Sequence, residues 1–194
     1  MKKMQRNGME YASSAWTTEA RKQTRRKYFQ TVRSTINTLI VFSAIAVLLA
    51  TLFFPVFRIY GMSMAPTING GEIVVARKGS KFQCGDVIVL SYNNRILVKR
   101  VIAGPGQWVD MDLEGNVSVD GKRIEEPYLQ ETAYGDCTQK LPYQVPDGKY
   151  FVMGDNRATS QDSRNATVGC IPEEQIIGKT VMRVWPIQRV SIWL

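Results

Sequence analysis

Ile96-Leu97-Val98-Lys99-Arg100-Val101-Ile102 is the stretch on which the fold turns. It reads as a strand, and side chains on a strand alternate between two faces. Leu97, Lys99 and Val101 then share one face, and Arg100 points to the other. Outward from this run the same texture repeats. Short β-like segments cover Ile73–Arg77, Val87–Tyr92, Trp108–Met111, Val117–Val119, Tyr150–Met153, Thr180–Val184 and Val190–Trp193. Between them lie Gly70-Gly71, Asn93-Asn94, Gly104-Pro105-Gly106, Gly115-Asn116, Asp120-Gly121 and Pro146-Asp147-Gly148. Such pairs supply positive φ or preset turn geometry. Many short strands at this spacing predict an all-β domain of barrel-like or sandwich type. Residues 172–178 read as one helical turn, with Glu173 and Glu174 suited to its start.

Upstream the pattern is different. Residues 34–57 carry no charged side chain between Arg33 and Arg58, and Thr35–Phe54 contains neither Gly nor Pro. At helical rise, about 20 residues cover the roughly 30 Å of bilayer hydrocarbon. The run therefore reads as a transmembrane anchor, with Pro55 as its stop. A buried core helix is the alternative. A cleaved signal peptide fits less well, because the basic region is too long and the apolar run exceeds an h-region. The domain division is 1–33 basic tail, 34–57 anchor and 58–194 β-rich domain. Residues 1–20 show no periodicity and read as disordered; residues 21–33 extend the anchor helix.

The formal charge of +8 belongs to the tail. Residues 1–33 hold nine Lys/Arg against Glu10 and Glu19, a balance of +7; the other 161 residues hold sixteen against fifteen. A basic tail can bind nucleic acid. Its place before an apolar span favours a topogenic role, with no nucleic acid as partner and the lipid bilayer in its stead. The positive-inside rule puts the N-terminus in the cytoplasm and residues from about 58 onward outside. Cys84, Cys137 and Cys170 all lie beyond the span, where disulfides persist. Cys137 and Cys170 flank the 144–164 block in loop-like sequence and are the pair expected to bridge; three free thiols is the alternative. Cysteines scattered without histidine argue against a zinc site, and no metal or other cofactor is expected.

The chain contains no histidine, so a Ser-His-Asp arrangement is excluded. Ser63, in Tyr60-Gly61-Met62-Ser63-Met64-Ala65-Pro66-Thr67, is the candidate nucleophile, and Lys99 is the candidate base. An amine between aliphatic neighbours loses solvation, which lowers its pKa. From a free value of about 10.4 to a useful 7–8 is roughly three units, on the order of 4 kcal/mol. A lysine that snorkels to water is the bland reading. Met62 and Met64 are either core side chains or the lining of a shallow substrate pocket.

Gly61–Thr67 resembles the nucleophile box of type I signal peptidases, and Val98–Gly106 resembles their lysine box. Gly85–Val89 is similar to a strand box between the two. Gly154-Asp155-Asn156-Arg157-Ala158-Thr159-Ser160-Gln161-Asp162-Ser163-Arg164 resembles their last box. The four occur in the family's order, and the likeness covers roughly residues 58–185. The single anchor is more similar to the Gram-positive branch. The lysine, without any histidine, separates the chain from the eukaryotic relatives. The resemblance implies a mainly β fold, a signal-peptidase-like antiparallel sheet domain behind one N-terminal transmembrane helix. It implies a bacterial membrane serine endopeptidase that removes signal peptides from secreted preproteins.

By the same resemblance Ser63 is nucleophile, Lys99 general base, and Ser160 the hydroxyl that orients the amine. The Ser63 N–H donates to the oxyanion. Where some relatives add a serine hydroxyl, this chain has Gly61. Asp155, Arg157, Asp162 and Arg164 become structural supports, with an Asp162–Arg164 pair; a solvated charged turn is the other reading of Arg157. Ala158 and Thr159 depart from the acidic/amide pair common there. Two other classes share parts of the pattern: a tethered non-enzymatic adaptor on this fold, and a self-cleaving Ser/Lys repressor.

Overall fold

The computed structural model describes residues 2–79 and 81–193, with side chains from Arg25 onward. The chain divides into two units, residues 1–50 and 51–194. One helix, α1, spans Lys2–Phe53. Its segment Arg25–Phe53 is long and apolar enough to cross a membrane. Hydroxyls on it are satisfied within the helix: Thr31, Thr35 and Thr38 each donate to the carbonyl four residues back, at 3.0, 3.0 and 2.9 Å. Such back-bonding lets a polar side chain sit where water is absent. Pro55 lies two residues past the end of the helix, as expected of a stop. Two expectations need correction. Residues 2–20 are helical, not disordered; they contain no proline, and a helix once nucleated propagates at little cost per residue. The helix also ends at Phe53, so Val56 and Phe57 belong to the first strand rather than to the anchor.

The second unit is built from antiparallel strands. They are β1 (Val56–Arg58), β2 (Ile73–Arg77), β3 (Val87–Tyr92), β4 (Arg95–Ala103), β5 (Trp108–Met111), β6 (Val117–Val119), β7 (Lys122–Arg123), β8 (Tyr143–Gln144), β9 (Lys149–Met153), β10 (Ile171–Pro172), β11 (Ile176–Trp185) and β12 (Ser191–Ile192). One sheet runs β1-β2-β11-β3-β4-β9-β10, with β12 on β11; the other runs β7-β6-β5-β8. Each strand read from the sequence is present, and the helical turn is a short 3₁₀ turn at Glu173–Gln175.

Strand β4 is central because three core clusters meet on it. Val98 packs with Ile59, Met64, Ile68, Val74 and Val89. Val101 packs with Ile88, Leu90 and Val152, while Ile102 and Ala103 join Val109, Val117 and Phe151. Residues 98–103 are buried without a break, so both faces of the strand are covered. That is how a lysine and an arginine in succession both end up out of water: Lys99 is 4% exposed and Arg100 8%. Charges so placed need partners, and the partners come from the loops described next.

The expected Cys137–Cys170 bridge is not formed; Cys84, Cys137 and Cys170 are free. Both cysteines pack against the same cluster, but each has its own polar neighbour. The Cys137 thiol donates to the Gln139 carbonyl at 3.8 Å, and Tyr143 hydrogen-bonds Cys170. Burial pushes the Cys170 thiol up to about 11, which keeps it protonated and unreactive.

Candidate active site

Three pieces of chain build the site: the loop between β1 and β2, strand β4, and the loop that follows β9. The first loop holds Ser63 and is pinned at its root, where Ile59 N–H donates to Glu72 O and Gly71 N–H to Ile59 O, both at 2.8 Å. Its far end is pinned by charge. Arg183 bonds the Thr67 carbonyl at 2.8 Å and the buried Glu72 carboxylate at 3.0 Å. The Thr67 hydroxyl donates to Asp155 at 2.5 Å. Between these anchors Gly61 takes φ +87°, a conformation few residues but glycine adopt.

The loop after β9 packs directly onto the Ser63 segment. Asn156 N–H donates to the Ser63 carbonyl at 3.0 Å. Gly154 has no room for a side chain, since a Cβ there would lie 2.4 Å from the Ser63 carbonyl and 2.3 Å from the Ser160 hydroxyl. Ser160 is buried, and its hydroxyl accepts from the Lys99 amine at 2.8 Å. Behind it Asp162 takes the Arg164 guanidinium at 2.9 Å through each carboxylate oxygen and the Gly154 N–H at 2.9 Å. Burial alone would raise the Asp162 pKa. The hydrogen bonds and charge of Arg164, the Gly154 N–H and the Ser160 hydroxyl reverse this and hold it below the usual carboxylate value.

The Lys99 pKa is lowered, chiefly because burial penalises the ammonium. Asp162 and Asp155 pull it back up and Arg164 pushes it further down. The result is an amine that sheds its proton more readily than an exposed lysine does. Ser63 and Lys99 line one cleft of about 590 Å³, together with Leu97, Arg95, Gln161 and Val168. Along β4 the cleft is met by alternate residues, Arg95, Leu97 and Lys99, as strand geometry requires. Strand β3 pairs with β4 from Arg95 to Arg100, whereas β9 pairs with it only from Arg100 to Ala103. The outer edge of Arg95–Lys99 is thus not covered by β9.

The other expected residues are placed as follows. Asp155 is buried and takes Arg100 through both oxygens, at 2.8 and 2.6 Å. Arg157 is not in a solvated turn: it is 2% exposed and paired with Glu126. Met64 is a core side chain, and Met62 is 54% exposed. Neither is among the residues lining the cleft; its apolar walls are Leu97 and Val168. Arg100, Glu126 and Tyr128 were not expected to matter. Arg100 adjoins Lys99, but alternation suggested only that it points away. Glu126 and Tyr128 lie in a connection with no hydrophobic period, so no local signal marks them.

The sequence matches the family "Signal peptidase, peptidase S26" over residues 32–185, a span that includes Ser63, Lys99 and Ser160. It is similar to signal peptidase I U of Bacillus subtilis, 38% identical over 172 residues, covering 78% of this chain and 89% of that one. Signal peptidase IB of Staphylococcus aureus is 39% identical over 150 residues, covering 67% of this chain and 77% of that protein. A solved signal peptidase I from Enterococcus faecalis is 29% identical, with a TM-score of 0.41 over 51% of this chain and 96% of that one.

Proposed function

We propose a mechanism for a chain that belongs to the signal peptidase family, peptidase S26: it is a membrane-anchored endopeptidase that cuts signal peptides from preproteins with Ser63 as nucleophile and Lys99 as base. The observation that carries this reading is the Lys99 amine, buried, with a lowered pKa, 2.8 Å from the Ser160 hydroxyl in a cleft shared with Ser63.

In the proposed reaction an extended substrate segment adds as a strand along the open edge of Arg95–Lys99. Small side chains enter the cleft beside Leu97 and Val168, and steric exclusion rejects larger ones. The Ser63 oxygen attacks the scissile carbonyl carbon while its proton passes to the neutral Lys99 amine. The Ser63 N–H donates to the developing oxyanion; with glycine at 61, no side chain from that position assists. The C–N bond then breaks, and the lysine ammonium returns the proton to the departing amine. Water, deprotonated by the same amine, attacks the ester carbon; the bond to the Ser63 oxygen breaks, that oxygen takes the proton back from the lysine ammonium, and the signal peptide leaves with a free carboxylate. Ser160 keeps the amine's lone pair aimed at Ser63 by accepting one of its N–H bonds.

The tether sets where this happens. With the basic tail in the cytoplasm and the span at 34–53, the β unit meets substrates outside the membrane as their own apolar segments emerge. The test is cleavage of a secretory preprotein by the full-length chain in liposomes. Ser63→Ala and Lys99→Ala each abolish it if the reading holds, and wild-type-like cleavage by either variant refutes it.

A further inference from the structure

Beyond the residues of the family motifs, one segment reaches both arginines that flank the site. Glu126 and Tyr128 sit two residues apart, joined by Pro127, in a turn closed by Leu129 N–H to Glu126 O at 3.1 Å. The Glu126 carboxylate grips Arg157 from both guanidinium nitrogens, at 3.0 Å through the first and closer through the second. Arg157 in turn donates from Nε to the Gly154 carbonyl at 3.1 Å. The Tyr128 hydroxyl donates to Glu126 at 2.6 Å, and its ring lies flat against Arg100, with the guanidinium carbon 3.7 Å from the ring centre. Arg100 is the next residue after Lys99, and Gly154 abuts both Ser63 and Ser160.

We propose that Glu126 and Tyr128 are positioning residues for the Lys99–Ser160 pair, a staple that fixes β4 and the 154–164 loop relative to each other by holding one arginine from each. The physical reasoning is direct. Two buried guanidinium groups each need a counter-charge, and each has its own carboxylate, Asp155 for Arg100 and Glu126 for Arg157. The tyrosine ring adds a cation–π contact to Arg100 while its hydroxyl holds Glu126, so one short segment engages both arginines. Without the staple, Arg157 is a buried cation lacking its carboxylate and must either drag the Gly154 segment toward solvent or compete for Asp155 and Asp162. Displacement of about 1 Å at the reacting groups costs on the order of 100-fold in rate.

This inference rests on the proposed function, and its test has an arm that does not. The full-length chain in detergent is compared with Glu126→Gln, Glu126→Asp and Tyr128→Leu. Cleavage of a preprotein is followed across pH, and Lys99 is titrated separately by pulse labelling with an amine-reactive reagent and peptide mapping. The charged groups acting on Lys99 are Asp162, Asp155 and Arg164. Freeing Arg157 adds positive charge or withdraws those carboxylates, and both disfavour the ammonium. Glu126→Gln is therefore expected to lose about 100-fold in kcat with KM within twofold, and to move the Lys99 titration to lower pH in both assays. Glu126→Asp recovers part of the rate. Tyr128→Leu keeps the ion pair, is the variant that decides should Glu126→Gln fail to fold, and shows the same kcat loss at unchanged KM. The proposal is overturned if Glu126→Gln keeps the wild-type kcat and Lys99 titration, or loses activity only in step with its folded fraction while the titration stays put. If the wild type cuts no preprotein, the functional reading falls, and the labelling arm alone decides the staple.

Discussion

Gly154 lies against Ser63 so closely that a single methyl group on it would stand 2.4 Å from the serine carbonyl oxygen and 2.3 Å from the Ser160 hydroxyl. The first of these neighbours is backbone and cannot swing away. The second is the partner of the Lys99 amine. Gly154→Ala must therefore displace the Ser63 segment, the Ser160 hydroxyl, or both. We expect at least a 100-fold fall in kcat, on the order set by ångström-scale misplacement. Gly148→Ala serves as a control outside the site: its added Cβ meets nothing within 4 Å, though its φ of +68° is strained for alanine. Preprotein cleavage and thermal melting of both variants decide the matter; a Gly154→Ala enzyme as fast as wild type would contradict the geometry.

Ser160 offers a finer test. Its hydroxyl accepts from Lys99 at 2.8 Å and stands in front of Asp162. Ser160→Ala removes the acceptor without unfolding the loop, since the Asp162–Arg164 pair remains. The amine is then buried but unaimed. A loss of about 100-fold in kcat with KM unchanged is the expected signature. Ser160→Thr keeps the oxygen and restores part of the rate. Equal activity in the alanine and threonine variants would remove Ser160 from the mechanism.

How far these contacts could be read from the chain varies with their range. The strands were legible because turn residues punctuate them: Val87–Tyr92 and Trp108–Met111 appear with the expected limits. Two-residue strands such as Lys122–Arg123 and Tyr143–Gln144 carry no period and were not. Lys99 and Ser63 stood out through the absence of histidine and the order of the motifs. The pairing of Glu126 with Arg157 bridges 31 residues and depends on tertiary packing alone. Alternation placed Arg100 on the other face from Lys99 but could not show that this face is buried too.

The free thiols make a simple prediction. Cys137 and Cys170 each have a separate polar neighbour and no bridge. Reducing agent should leave both the melting temperature and the activity unchanged. A bridge across the core would instead contribute roughly 2–4 kcal/mol, and its reduction would lower the melting point by several degrees. Melts with and without dithiothreitol separate the two.

Asp162 ties the site to acid stability. Its folded-state pKa lies below the ordinary 3.8, so the unfolded chain binds its proton first as pH falls. Stability from this group is fully present above 3.8 and is lost as pH drops through the folded value. Asp162→Asn leaves the Arg164 guanidinium buried without its carboxylate. Removing one partner of a buried pair costs about 3–5 kcal/mol. The variant is expected to melt well below wild type at neutral pH, with the gap narrowing under acid. A gap that stays constant down to pH 2 would mean the ion pair contributes nothing.

Lys99 works in the opposite sense, and the sign gives a test of its proposed role as base. Its folded-state pKa is lowered from 10.5, mainly by burial. Between that lowered value and 10.5 the unfolded chain holds more protons than the folded one, so stability rises with pH across this window. Below the window the amine is charged and buried, and the penalty is carried whole. If Lys99 is the base proposed above, activity follows the same titration, because only the neutral amine can take the Ser63 proton; cleavage is then expected to rise with pH through the lowered value. Lys99→Met removes the charge and keeps nearly the same volume. It should be inactive yet melt higher than wild type at neutral pH, by about 2–4 °C per kcal/mol recovered. The difference should shrink as pH rises toward 10.5, above which the wild-type amine becomes neutral in both states. Such a trade of stability for reactivity is expected of a site group held against its solvation. A methionine variant that melts lower at every pH would show that the lysine stabilises the fold, and the case for a neutral base at this position would fail.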